Sequence, residues 1–297
     1  MDLEPQPHLT SKGAASKEGE TLIPVAPGRS GEERLPLERL LGSRFYVLAD
    51  KSLGLLGIFL FFLAWEIASR THILNPFYFP PFTEIIAKGI ELLASGAIWE
   101  HMIFSLTNFS AGFAVSVVIG VLAGIPMGWY KGLSKTLDPL LSGIYATPLI
   151  ALLPLIIMLF GLGAVSKIIM TFLAGVFPVL INTMVGIANT DTNLIKMSRS
   201  FGASDATIFL KVSMPGSLPY IVAGMRVALG RALVYIVVAE QYGAAMGLGY
   251  LSSVAAQRFQ IAAMFVPIVI IAGLGAGLTE LLKVVERRLE TWRPQKS

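Results

Sequence analysis

The residue types that perform most enzyme chemistry are scarce in this sequence of 297 residues. It contains no cysteine, which excludes thiol nucleophiles, disulfides and Cys-ligated zinc or iron–sulfur sites. Its three histidines, His8, His72 and His101, show no metal-binding spacing, and the stretch from Gly128 to Thr136 lacks the spacing of a phosphate-binding Walker loop. We therefore expect that the chain is not an enzyme, has no ATP site of its own and binds no metal or cofactor itself.

Charged side chains within apolar segments are the remaining candidates for chemistry. An ionisable group in a membrane-spanning helix is costly and normally faces a bundle interior or an aqueous path. Arg226 and Glu240 would share one helix face at different depths, and Arg231 is rotated about 140° from Arg226 at 100° per residue. Arg226 suits a structural and a pathway role equally, whereas Arg231 is the better candidate for attracting an anionic substrate. The candidate translocation path comprises Arg226, Arg231, Glu240, Asn108, Tyr145, Asn182 and Thr183.

A polar segment, Asp191–Ile221, has a helical pattern of its own. Its apolar or small face over two turns consists of Leu194, Met197, Ser198 and Phe201. Gly202 then permits a chain reversal, helix resumes over residues 206–212, and Pro215 and Pro219 are expected to break it. A short amphipathic helix held by a turn suits docking into a groove of another protein. An interfacial helix that only ties two membrane spans together is an equally open alternative.

The composition indicates which elements position these residues. Hydrophobic residues make up 54% and charged residues 14% of the chain, and the mean hydropathy is +0.69. A soluble protein carries about 25% charged residues, so these few charges could not cover a soluble globule. The composition predicts an all-α polytopic membrane protein. The net charge of +4 would suggest nucleic-acid binding only with a basic patch, and the sequence has none.

Six apolar segments are long enough to cross a bilayer as helices, since a span needs about 20 residues. They are residues 53–68, 102–130, 139–166, 168–190, 212–239 and 259–279. Residues 1–45, rich in Pro, Gly, Ser, Glu and Arg, are predicted to form a disordered cytoplasmic N-terminal tail, and residues 46–297 the transmembrane domain. An amphipathic helix capped by Thr83 is expected on the outer interface.

The basic residues are distributed asymmetrically between the predicted loops. With both termini inside, 17 of the 23 Lys and Arg residues lie on the inner side. Four lie outside and two within the fifth span; the outer four are Arg70, Lys88, Lys167 and Arg258. This distribution predicts cytoplasmic N- and C-termini.

Small residues recur at every fourth position of the second span. They are Gly112, Ser116, Gly120, Gly124 and Gly128. This spacing lets another helix backbone approach closely and therefore predicts a tight helix–helix seam. Gly273 and Gly277 predict a similar contact in the sixth span.

The run SRSFGASDATIFLKVSMPGSLPYIVAGMRVALG, residues 198–230, resembles the EAA loop of ATP-binding-cassette (ABC) importer permeases. Gly202 matches the family glycine, and Met214-Pro215 with Pro219 matches the closing proline pattern. The resemblance is closest to permeases for aliphatic sulfonates, nitrate and taurine, and it extends from Phe79-Pro-Pro-Phe-Thr through TPLIALLPLIIMLFGLG to ERRLETWR near the C-terminus.

The sequence departs from the family pattern at several positions. Lys196 replaces the family glutamate, Met197 and Ser198 replace its alanines, and Arg231 replaces an apolar residue.

The resemblance implies a type I ABC importer permease of the bacterial cytoplasmic (inner) membrane, which moves a small, anionic solute inward by alternating access. The implied partners are a cytoplasmic ABC ATPase dimer that binds ATP and Mg, a second permease copy, an extracytoplasmic solute-binding protein and the lipid bilayer. The coupling loop, residues 191–218, would dock onto the ATPase through Leu194, Lys196, Met197, Ser198, Arg199, Ser200, Phe201, Gly202, Ala203, Ser204, Asp205 and Pro215.

Two alternatives remain open at this point. The first is a permease of the same type for aromatic acids or pyrimidine-type substrates, which are carried by close relatives in the family. The second is a stand-alone secondary transporter, which predicts intramembrane carboxylates and internal repeats. Glu240 and Glu66 are the only plausible intramembrane carboxylates, and no repeat is visible.

Overall fold

The structure is a computed structural model that describes residues 43–289. The chain divides into two compact units, Met1–Ile58 and Phe59–Ser297. Of the first unit only residues 43–58 are described, and they are helical. The predicted N-terminal tail, residues 1–45, lies outside the described residues except for its last three positions, where the first helix begins.

Residues 43–289 are helical and contain no strand. Their α-helices are α1 (Ser43–Arg70), α2 (Phe82–Ala94), α3 (Trp99–Trp129), α4 (Lys131–Ala146), α5 (Leu153–Phe160), α6 (Ala164–Ala188), α7 (Thr192–Ser200), α8 (Asp205–Ile208), α9 (Met214–Gln241), α10 (Leu248–Gln257) and α11 (Ile261–Leu289). A 3₁₀ turn at Leu149–Leu152 precedes α5, and a π turn at Phe209–Ser213 precedes α9.

Four helical segments in the described range are long and apolar enough to cross a membrane. They are α3, α6, α11 and the continuous segment Asp205–Gln241 that ends with α9. A fifth results when α4 and Leu149–Phe160 are counted as one bent span. The predicted count of six also includes residues 53–68, which lie within α1, a helix whose side chains are described only in part.

The third predicted span, residues 139–166, is not a continuous helix. Helix α4 ends at Ala146, and Leu149–Phe160 continues at an angle of 75° to it. Thr147 is extended, with φ −72° and ψ 135°, because the ring of the following Pro148 disfavours helical backbone at the preceding residue. The chain then leaves helix again at Gly161, where φ is +78°.

The seam predicted along the second span is confirmed, and its partner is α6. All five small residues of α3 are buried. A methyl group at Gly124 would lie 2.7 Å from Thr183 Cβ, and one at Gly128 would lie 2.6 Å from Ile187 Cβ. A methyl group at Gly273 or Gly277 of α11, in contrast, would meet no other part of the described chain within 4 Å, so the second predicted contact is not made there.

Helix α9 packs on α6 in the same close manner. A methyl group at Gly224 of α9 would lie 2.7 Å from Asn182 Cβ, and one at Gly186 of α6 would lie 2.7 Å from Tyr220 Cβ. Helix α6 is therefore packed between α3 and α9. We call these three helices the core helices.

Helix α2 begins differently from the prediction. Pro81 is its N-cap residue and Thr83 makes no cap hydrogen bond within the helix. Instead, Glu66 accepts hydrogen bonds from the Thr83 backbone N–H at 3.1 Å and the Thr83 hydroxyl at 2.8 Å, and Arg70 donates to the same carboxylate at 2.6 Å. The first turn of α2 is thus capped by a carboxylate of α1, which satisfies an N–H without a helical partner.

Candidate functional site

The predicted coupling loop contains a short helix closed by a left-handed glycine. The Asp191 side chain accepts a hydrogen bond from the backbone N–H of Asn193 at 2.8 Å and caps α7. At the other end, Gly202 has φ +77°, a region that glycine occupies without strain. Its N–H donates to Arg199 O at 2.9 Å, and the next N–H, of Ala203, donates to Ser198 O at 3.0 Å. The predicted reversal at Gly202 is therefore present.

Helix α7 presents an exposed apolar face. Leu194 is 49% exposed, Met197 57% and Phe201 87%, and no residue of α7 is buried. Lys196, Arg199 and Ser200 are also exposed. A mixed apolar and basic surface of this kind suits contact with another protein.

The second half of the loop ties α7 to the membrane helices. Arg199 donates to Asp205 Oδ1 at 2.9 Å, and the Ser204 hydroxyl accepts a hydrogen bond from the Thr207 N–H at 3.3 Å and caps α8. Ile208 is buried and anchors this turn.

Pro215 and Pro219 do not break the helix, contrary to the prediction. Pro215 lies in the first turn of α9, where an intrahelical N–H is not needed, and Pro219 is accommodated one turn further on. The π turn at Phe209–Ser213 joins α8 to α9 without an interruption. The segment Asp205–Gln241 is consequently one helical rod.

Two of the predicted path residues meet at the bend of the third span. The guanidinium of Arg231 lies over the Tyr145 ring, with Cζ 4.4 Å from the ring centroid. Tyr145 is the penultimate residue of α4, directly before the bend. Arg231 is exposed, and no carboxylate of the described residues lies within 4 Å of it. A guanidinium stacked on one face keeps its N–H edge available for an anion.

Arg226 is held by a neighbouring helix. It forms an ion pair with Glu286 of α11, and the two side chains are 34% and 21% exposed. Its Nε is buried without a hydrogen-bond partner. The sequence left a structural and a pathway role open for Arg226, and this pairing supports the structural role.

The other neutral path candidates lie on α3 and α6. Thr183 is fully buried in the seam between α3 and α6 and donates to Val179 O at 2.7 Å. Asn182 donates to Pro178 O at 2.8 Å. Asn108 of α3 is 4% exposed, and its Nδ2 has no hydrogen-bond partner.

Glu240 lies in a buried polar cluster at the end of α9. Both of its carboxylate oxygens accept from the Ser105 hydroxyl, at 2.7 and 2.8 Å, and Oε2 also accepts from the Gly249 N–H at 2.9 Å. The side chain is 0% exposed, so it does not line an open path in this conformation.

The burial of Lys167 was not foreseen from the sequence. Lys167, expected on the outer side between two spans, lies in the first turn of α6 and is 0% exposed. Its Nζ donates to Leu162 O at 2.6 Å and to Gly243 O at 3.2 Å. The sequence signal that could have indicated this burial is a single lysine between two long apolar segments.

Among residues 43–289, no cluster of His, Asp and Glu side chains is arranged to hold a metal ion. The features on which a function can be built are therefore the exposed coupling helix, the arginine at the bend and the buried polar cluster.

Comparison with known families decides the identity of the chain. The family described as "Binding-protein-dependent transport system inner membrane component" matches residues 116–291. The chain belongs to this family. It is thus an inner-membrane permease, a multi-pass transport subunit of an ABC importer.

The permease has curated relatives over most of its length. It is 33% identical over 229 residues to the putative aliphatic sulfonates transport permease protein SsuC of Bacillus subtilis, covering 77% of this chain and 83% of the relative. It is 30% identical over 246 residues to the taurine transport system permease protein TauC of Escherichia coli, covering 81% and 89%. It is 32% identical over 238 residues to the formylaminopyrimidine transport permease protein ThiX of Halalkalibacterium halodurans, covering 79% and 94%.

A solved structure supports the fold of the permease. The MetNI methionine ABC transporter in inward-facing conformations matches with a TM-score of 0.52 at 20% identity, over 65% of this chain and 94% of that chain. This match confirms the predicted ABC importer permease fold.

Proposed function

We propose that the permease carries a small anionic solute, of the sulfonate, taurine or nitrate type, into the cytoplasm past Arg231. The observation that carries this proposal is the exposed, unpaired guanidinium within an apolar span, stacked on Tyr145 at the bend between α4 and α5. A charge within an apolar span is not left facing lipid, because its desolvation is too costly. It faces an aqueous path or a second permease copy that encloses the path.

The chemistry of Arg231 favours anions with several oxygen atoms. A guanidinium has five N–H donors in a planar fork and binds carboxylate- or phosphate-like groups through two parallel hydrogen bonds. The sulfonate and taurine permeases among the relatives support this substrate class. The formylaminopyrimidine relative supports the alternative, a pyrimidine-type solute.

The exposed face of α7 is the proposed contact with a cytoplasmic ATPase dimer. ATP and Mg would be bound by those ATPase subunits, and the exposed apolar side chains Leu194, Met197 and Phe201 would fill a groove on their surface. A second copy of the permease would enclose the path, and a solute-binding protein would deliver the solute at the outer face. With α7 inside, both termini are cytoplasmic, in agreement with the basic-residue distribution.

Uptake by the reconstituted importer tests the substrate class. Proteoliposomes with the permease, its ATPase and its binding protein are given radiolabelled taurine, ethanesulfonate or formylaminopyrimidine. In the variant Arg231→Gln we expect sulfonate uptake to fall by about 10- to 100-fold, since a hydrogen bond to a charged group contributes about 1.5–3 kcal/mol.

One control variant and three contrary outcomes make the result decisive. Arg258→Gln removes an exposed arginine at the end of α10 and should leave uptake unchanged. Wild-type sulfonate uptake in Arg231→Gln, or uptake by wild type of the pyrimidine alone, would show that the anion assignment is wrong. Uptake without ATPase and ATP would show that the importer assignment is wrong.

A further inference from the structure

Two oppositely charged side chains are buried at the outer ends of the core helices, and neither has a role in the proposed substrate path. Lys167 lies in the first turn of α6 and Glu240 near the last residue of α9, and both are 0% exposed. Burying a charge is costly unless hydrogen bonds replace its water. The groups that form hydrogen bonds with these two side chains therefore indicate what the side chains do.

Lys167 joins two loops that come from different parts of the chain. Its Nζ donates to Leu162 O at 2.6 Å, to Gly243 O at 3.2 Å and to the Ser166 hydroxyl at 3.4 Å. An ammonium group has three donors, and here each has an acceptor. Leu162 precedes α6 and Gly243 follows α9, so one lysine holds the loop before one core helix to the loop after another.

Glu240 organises the beginning of α10 together with α3. The carboxylate accepts from the Ser105 hydroxyl and from the Gly249 N–H, while the Leu248 N–H donates to Ser105 Oγ at 2.8 Å. One turn earlier on α3, His101 Nδ1 accepts from the Gly247 N–H at 3.1 Å. Three successive N–H groups at the start of α10 are thus satisfied by α3 and α9.

The glycines beside these hydrogen bonds leave no room for a side chain. A methyl group at Gly247 would lie 2.3 Å from Glu240 Cδ, one at Gly249 would lie 2.2 Å from Val237 O, and one at Gly243 would lie 2.6 Å from Leu162 Cδ2. We call this unit, made by Lys167, Glu240, Ser105, His101 and residues 243–249, the outer clamp. The two ends of the loop 242–247 are thus packed closely against the core helices and the loop before α6.

The other ends of the same helices lead to the coupling loop. Helix α6 has 25 residues, about 37 Å at 1.5 Å per residue, and α7 begins four residues after its end. Helix α9 continues directly from α8 in the coupling loop. The outer clamp therefore closes a rigid frame whose inner end carries α7.

We propose that Lys167 and Glu240 are positioning residues that lock the core helices at their outer ends, so that movement imposed on α7 reaches the outer loop 242–247. The role rests on the proposed function in one respect, namely that an ATPase acts on α7. Rigid packed elements transmit such movement because their side chains have discrete rather than continuous arrangements.

The test uses the complete importer and the double variant Lys167→Met/Glu240→Gln. Removing both charges leaves no buried charge unpaired, a replacement that proteins often tolerate. We expect ATPase association and ATP hydrolysis to be retained while ethanesulfonate uptake per ATP hydrolysed falls by about fivefold or more. Glu91→Gln is the matched control, because Glu91 forms an exposed ion pair with Lys88 at 2.7 Å and lies outside the clamp.

A second readout does not depend on the solute. Because the natural chain has no cysteine, an Ala245→Cys substitution in the exposed part of the loop introduces a single reporter. Its labelling by a membrane-impermeant maleimide should differ between the nucleotide-free and vanadate-trapped importer in the wild-type and Glu91→Gln backgrounds. In the double variant we expect this difference to be lost.

The outcomes separate the two proposals. If the double variant keeps both the wild-type uptake per ATP and the nucleotide-dependent labelling, the positioning role is wrong. If labelling responds to nucleotide in wild type but no sulfonate is taken up, only the substrate assignment fails. If the double variant assembles poorly, Ser105→Ala replaces it, since it removes one hydroxyl of the clamp without changing charge, and the same two readouts decide.

Discussion

At the scale of single residues, the few charges of the spanning region have very different surroundings. Arg226 is paired with Glu286, and Lys167 and Glu240 are bound to backbone and hydroxyl groups. Arg231 lies over an aromatic ring and forms no ion pair within residues 43–289. Since a charge in an apolar region requires compensation, the uncompensated one marks the place where a ligand or aqueous path is expected.

The Arg226–Glu286 pair predicts a stability effect. Glu286→Gln leaves the Arg226 guanidinium without its carboxylate, and because the pair is only partly buried we expect a loss of about 1–3 kcal/mol. Thermal unfolding of the purified permease in detergent measures it as a lower Tm. Glu280→Gln, which breaks the exposed pair with Lys283, is the control and should change Tm little. Equal Tm values for the two variants would contradict the structural role of Arg226.

At the scale of elements, α7 differs from the other helices in that it is short and exposed and presents apolar residues at its surface. Leu194, Met197 and Phe201 are not covered by any other part of the described chain. The Gly202 turn and the Arg199–Asp205 ion pair hold this face in place. A preformed surface loses less conformational entropy on docking than a disordered loop would.

Phe201 offers the sharpest test of this surface. Phe201→Ala should leave folding intact, because the ring is 87% exposed, and should weaken association with the ATPase by about tenfold or more, as expected for an aromatic hot spot. Co-purification and ATP-driven uptake measure the effect. Phe259→Ala removes an exposed ring at the other end of the molecule and serves as the control. Unchanged ATPase association in Phe201→Ala would show that α7 is not the docking helix.

At the scale of the whole molecule, local sequence signals predicted the fold better than the site. The seam of α3 depends on spacing within one helix, and the reversal at Gly202 depends on one residue, so both were predictable. The outer clamp was not, because the contacts that join its different elements are distant in sequence, such as Lys167 with Gly243, 76 positions apart, and His101 with Gly247, 146 positions apart. The bend at Pro148 escaped prediction since composition shows that a segment is apolar, not whether it is straight.

The orientation of the molecule gives a prediction of its own. Ser204 of the coupling loop and Ala245 of the outer loop are both exposed and lie before and after the rod that ends with α9. In intact cells, a membrane-impermeant maleimide should label Ala245→Cys, and should label Ser204→Cys only after permeabilisation. Labelling of Ser204→Cys in intact cells, with labelling of Ala245→Cys only after permeabilisation, would show that the proposed topology is wrong.

The length of the rod Asp205–Gln241 determines how far a tilt of the rod displaces its ends. Its 37 residues correspond to about 55 Å, longer than the roughly 40–45 Å of a bilayer with its headgroups. For a rod along the membrane normal with its outer end at the headgroups, the excess of about 10–15 Å would place α7 beyond the headgroups of the other side. For a rod of this length, a tilt of about 1° about one end moves the other by about 1 Å. A displacement of a few ångströms at the end that carries α7 therefore tilts the whole rod by only a few degrees, and the packing at its other end determines where the rod pivots.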